Sequence, residues 1–288
     1  MTLAALTPTE REALLRELTE LECRVTETSG SASSLMRLRE LAFVSIQRTF
    51  LPQGVHLDAL SPSRLLILGE RGVGKSALFR LLIEAQGAAA LRLLFENPTL
   101  AATKYVEGFT ETSMAHPPVT MVDDFALKVS GAAAVRAFWM AHLLRRLATM
   151  GLVELDDANR WLFDDSASAF AWMRQAPGQV AQLQHLMDGV ERTLVREGRS
   201  ICVLYDQLDR VGAHHPEVQR RAVGSLLSLW LSLAQRYRAL RGKIFLRDDV
   251  FERTELDFPD VSKLRRGQSV TLSEAFLRGY LGGLPTHF

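Results

Sequence analysis

One run constrains this chain more than any other: Gly69-Glu70-Arg71-Gly72-Val73-Gly74-Lys75-Ser76, set between the apolar run Leu65-Leu66-Ile67-Leu68 and an amphipathic stretch from Ser76 to about Ala85. Four continuous apolar residues suit a strand buried on both faces of a parallel sheet. The spacing of Gly69, Gly74, Lys75 and Ser76 follows G-x-x-x-x-G-K-[ST]. Glycines let the backbone turn tightly, so that successive N–H groups point inward and cradle phosphate oxygens. A helix beginning at Ser76 adds its positive dipole end. Lys75 places a charge against β and γ phosphates, and Ser76 offers a hydroxyl to Mg²⁺. Because most such contacts come from the backbone, the whole segment from Gly69 through Glu70, Arg71, Gly72, Val73 and Gly74 to Ala77 is the expected binding loop. Its expected ligand is a nucleoside triphosphate, ATP with Mg²⁺.

A second apolar run, Ile201-Cys202-Val203-Leu204-Tyr205, ends in Asp206-Gln207-Leu208-Asp209. A carboxylate at the carboxyl end of a core strand lies on the sheet edge where open α/β sheets bind ligands. Asp206 is therefore expected to hold Mg²⁺, directly or through water; by itself it also reads as an ordinary turn residue. Lys243 to Arg247 reads as a third strand, Ser269 to Leu272 as a fourth and Leu91 to Phe95 as a further candidate. Helical patterns cover about Ala132 to Thr149, Gln179 to Glu197 and Pro216 to Leu240, while Trp161 to Asp165 is either a strand or a turn. Strands alternating with helices imply an α/β fold, a parallel sheet with helices on both faces. Upstream, Thr7-Pro8-Thr9-Glu10 opens a helix with a capping box and a proline at the first helical position. The expected organisation is N-terminal helices over 1–50, a core over 64–272 with a mostly helical insertion at about 100–198, and a short tail over 273–288.

The loop and the Asp206 strand together resemble the Walker A and Walker B motifs of P-loop NTPases. Lys243-Ile244-Phe245-Leu246-Arg247-Asp248-Asp249-Val250-Phe251-Glu252 is similar to the sensor strand of the division with an additional core strand, which holds AAA+, STAND and KAP-type ATPases, including poorly characterised bacterial branches. The resemblance covers about Arg64 to Leu272. It implies a three-layer sandwich whose sensor strand lies between the two Walker strands, placing Arg247 near the γ-phosphate. It also implies a glutamate after the Walker B aspartate to activate water. Here that position is Gln207, which orients a water but accepts no proton from it. Asp209 is the nearest substitute carboxylate. Such ATPases usually carry a helical lid, and Ser273 to Phe288 are too few for one, so a second subunit or a protein partner is expected to cover the nucleotide.

A formal net charge of +1 over 288 residues supplies no field for nucleic acid or membrane as a general partner. The cluster Lys263, Arg265 and Arg266 reads as a solvated loop. Glu10, Arg11 and Glu12 stand where an export signal has its apolar core, and Cys23 and Cys202 lie far apart without metal spacing, so a cytoplasmic protein with reduced thiols is expected. A GTPase is disfavoured, since Thr103-Lys104-Tyr105-Val106 lacks the final aspartate of the guanine-reading motif. A small-molecule kinase shares the phosphate loop, but no arginine-rich lid is visible. Two readings stand: an ATPase with slow hydrolysis driving a conformational change in an assembly, and a nucleotide-dependent switch or scaffold with little turnover.

Overall fold

The computed structural model describes residues 58–84, 103–129, 131–154, 156–164, 170–255, 264 and 269–272. The expected N-terminal helices, the Leu91 to Phe95 strand and the C-terminal tail lie outside them.

A five-stranded sheet organises the fold. Its strands are β1 (Leu66–Gly69), β2 (Thr103–Phe109), β3 (Ser200–Tyr205), β4 (Leu240–Arg247) and β5 (Ser269–Leu272), in the order β2-β3-β4-β1-β5. Every pairing is parallel. The register sets Gly69 beside Arg247 and Tyr205 beside Ile244, so the carboxyl ends of β1, β3 and β4 open on one edge. β4 lies between β1 and β3, as the resemblance implies.

Helices cover both faces, and residue parity on β4 shows it. Phe245 meets Phe79 of α1 (Lys75–Ile83) edge to face, with ring centroids 5.8 Å apart. Gly242, three residues earlier and hence on the opposite face, lies under Trp230 of α6 (Pro216–Arg236). A β-carbon at Gly242 would sit 2.2 Å from the Trp230 ring, so only glycine admits α6 at this spacing. α3 (Ala132–Ala148) packs against α6, and Trp139 donates from Nε1 to the Ala222 carbonyl at 2.9 Å. Trp139, Trp172 and Trp230 are fully buried packing residues. Cover on both faces accounts for the unbroken apolar runs in β1 and β3.

The remaining helices are α2 (Val119–Lys128), the single turn α4 (Ala171–Gln175), α5 (Val180–Arg196) and α7 (Asp248–Glu255). α5 buries Leu183, Met187, Val190 and Leu194 as one stripe. Its Glu191 carboxylate accepts N–H groups of Arg238, Ala239 and Leu240 at 2.6, 3.0 and 2.9 Å, fixing where β4 begins. On the edge opposite the β1 loop, buried Lys243 donates to the carbonyls of Ala59, Ser61 and Arg64, and burial lowers its pKa to about 8.

Two expectations need correction. The segment from about 100 contains an edge strand, β2, so the region is not merely a helical insertion. β4 begins at Leu240, not Lys243, and α6 accordingly ends at Arg236. Of the strand or turn read at Trp161 to Asp165, the described part shows the turn, a 3-10 turn over Arg160–Leu162. Among the described residues no helix is long and apolar enough to cross a membrane.

Candidate functional site

The loop after β1 is built by backbone geometry. Gly72 and Gly74 take φ of +90° and +92°, which side chains disfavour. Gly69 is required by close approach: a β-carbon there would meet Val73 Cγ2 at 2.6 Å and the Leu272 carbonyl at 2.8 Å. Buried Val73 anchors the loop, while Glu70, Arg71 and Gly72 face outward. α1 starts at Lys75 with no side-chain cap, which leaves its first N–H groups directed at the loop's interior.

Lys75 is 9% exposed, and its Nζ donates to the carbonyls of Gly69 and Glu70, both at 2.7 Å. Burial lowers its pKa, against the opposing fields of Asp248, Asp206 and Asp209. Ser76, one residue on, lines the same cleft as Asp206, and its hydroxyl acts on that carboxylate. Asp206 directly follows β3 and is 5% exposed. Burial raises its pKa; the Ser76 hydrogen bond and a backbone bond from Gln207 oppose the rise. Hard oxygen donors of this kind suit Mg²⁺, which usually takes one or two carboxylates plus waters and substrate phosphates. Among the described residues no group of three or more His, Cys, Asp or Glu is placed to hold a metal ion.

Gln207 is the one non-glycine residue with positive φ among those described, at 60°. This left-handed turn sends its side chain toward β2, where Oε1 accepts the Glu111 N–H at 3.1 Å. The following 3-10 turn, Leu208–Arg210, brings Asp209 back to the cleft. The Asp209 carboxylate lies 3.8 Å from Arg247, whose guanidinium also grips Asp249 at 2.9 and 3.1 Å. The geometry thus joins the β1 loop, the β3 turn and the end of β4 around one cleft of about 380 Å³, lined among others by Arg71, Gly74, Lys75, Ser76, Ala77, Asp206, Gln207, Asp209 and Arg247.

No family model, curated protein or solved structure matches the chain.

The structure adds two carboxylates that the sequence reading did not single out for a role. Asp248 follows β4, and its field acts on both Lys75 and Glu70; its only sequence signal was its place directly after Arg247. Glu107, on β2, lines a smaller cavity that shares Asp206 and Gln207 with the cleft. It was hidden because Thr-Lys-Tyr-Val-Glu-Gly-Phe mixes charged and apolar positions and makes no apolar run.

Proposed function

We propose that this chain binds Mg-ATP in the cleft at the carboxyl edge of the sheet and hydrolyses it slowly, as a P-loop NTPase of the additional-strand division. The observation that carries the reading is the Ser76 hydroxyl set against the Asp206 carboxylate beside a buried lysine at a loop of left-handed glycines. Ser76 and Asp206 would hold Mg²⁺, and the ion would neutralise charge on the phosphate oxygens. Lys75 exchanges its two carbonyl partners for phosphate oxygens, and loop N–H groups from Gly69 to Ala77 supply the remaining donors. Arg247, held by Asp209 and Asp249, lies at the γ-phosphate end. The strand order, with β4 between β1 and β3, supports the family assignment.

Gln207, directly after Asp206, supplies no base of its own. An amide accepts no proton from the attacking water, and this one is tied to the Glu111 N–H just past β2. The same observation favours a second reading, a nucleotide-dependent switch that acts by recruiting a partner. In either case a cytoplasmic setting and a second subunit or protein partner over the open cleft complete the proposal.

Nucleotide titration with and without Mg²⁺ tests the reading. The wild type should bind ATP about tenfold or more tightly with Mg²⁺, a difference of about 1.4 kcal/mol, and Asp206→Asn should lose that gain, since the amide brings no negative charge to the ion. An undiminished Mg²⁺ effect in Asp206→Asn would rule out the metal assignment.

A further inference from the structure

Behind the nucleotide cleft a smaller cavity of about 130 Å³ lies between α1 and the carboxyl end of β2. Glu107, Thr110, Asp206 and Gln207 line it, with Phe79 and Arg80 from α1. Asp206 and Gln207 therefore border both spaces. A water occupies roughly 30 Å³ of liquid volume, so the cavity has room for a nucleophile and its partners. Glu107 belongs to no other part of the proposed site, yet its carboxylate is firmly held.

A chain of hydrogen bonds orients that carboxylate, and its direction follows from one fixed acceptor. The Gly108 carbonyl can only accept, so His142 carries its proton on Nε2 and donates there at 2.8 Å. The same Nε2 lies 3.2 Å from His116 Nδ1, which must then be the acceptor nitrogen. The neutral His116 proton is consequently on Nε2, which donates to Glu107 Oε1 at 2.8 Å. Both rings are buried, at 4% and 2% exposure. Neither imidazole can serve as a base, because His116 Nδ1 is enclosed against His142. The carboxylate ends the chain. The His116 hydrogen bond holds its pKa below the usual carboxylate value, with Ser113 and Arg146 acting the same way and burial opposing. It is ionised at neutral pH and has lone pairs to spare.

We propose that Glu107 is the carboxylate that accepts the proton of the attacking water, the role that an amide at position 207 leaves open. This rests on the ATP reading above. In the step, the water oxygen bonds to the γ-phosphorus as the bond from that phosphorus to the β,γ-bridging oxygen breaks. The electron pair leaves on ADP, the water proton passes to Glu107, and inorganic phosphate forms; the proton then returns to solvent. His116 is a positioning residue, fixed in tautomer by His142.

Single-turnover hydrolysis by Glu107→Gln and Glu107→Ala, with bound nucleotide recovered and identified, tests this. Glu107→Gln keeps an oxygen for the His116 donor, so it should melt with the wild type and bind Mg-ATP equally well. Its hydrolysis should fall by about 10²–10⁴, with the nucleotide recovered as ATP. Glu107→Ala should be equally slow, and added formate should restore turnover by occupying the vacated carboxylate position, which a merely structural role does not allow. Glu107→Gln turnover close to wild type overturns the proposal. So does a Glu107→Ala variant that binds ATP but gains nothing from formate, or a wild type that binds ATP and never hydrolyses it. If Glu107→Gln does not fold, the formate experiment decides. A wild type that does not bind ATP instead defeats the nucleotide reading itself.

Discussion

Lys75 shows how much chemistry a local spacing can carry. Its place directly after Gly74 and before Ser76 was legible because the loop's geometry depends on adjacent residues. Asp206 was legible for a similar reason, as a carboxylate ending an apolar strand. Glu107 and Asp248 were not, because each acquires meaning only from chain distant in sequence: the His116–His142 pair for one, the Lys75 ammonium for the other. His142 carries a prediction of its own. Burial lowers its pKa from 6.5 to about 3, so it is neutral in the folded protein where the unfolded chain is protonated. The unfolded state therefore binds more protons between those two values, and stability falls as pH drops through that window. Replacing the ring with glutamine keeps a donor for the Gly108 carbonyl and removes the titration. Denaturant unfolding at several pH values should show His142→Gln losing stability less steeply than wild type, by up to about 1.4 kcal/mol per pH unit. Parallel slopes would mean that His142 is protonated in the native state.

Among the elements, β1, β3 and α1 were legible as runs of the right period, since full burial on both faces leaves an unmistakable apolar stretch. β2 was not: as an edge strand it is covered on fewer sides, and its Lys104 and Glu107 dilute the signal. The start of β4 was hidden by Arg241 and Gly242, which interrupt the apolar pattern for a tertiary reason. Gly242 is where α6 comes closest to the sheet, with Trp230 packed on the bare backbone. Gly242→Ala should therefore lift α6 from β4 and destabilise the fold by about 1–3 kcal/mol, as overpacking does. Urea denaturation measures this directly. A variant as stable as wild type would show that the helix shifts without cost, and that β4 does not depend on this contact to hold Arg247.

Across the whole molecule, the order β2-β3-β4-β1-β5 brings three segments of the candidate site to one edge although they lie far apart in the chain: the loop at 69–76, the turn at 206–209 and the β4 end at 247–248. Sequence predicted the parallel α/β class from alternation; the strand order entered only through family resemblance, because apolar runs do not specify their neighbours. The central claim is that these segments form a Mg-ATP site. Calorimetric titration of Mg-ATP into wild type and Lys75→Ala tests it most directly. Lys75 directs its ammonium at the loop, not into the apolar core, so the variant should fold, and its affinity should fall about ten- to a hundredfold for the loss of a charge-assisted bond worth about 1.5–3 kcal/mol. Equal affinity in a folded Lys75→Ala protein, or no binding by the wild type, would contradict the account.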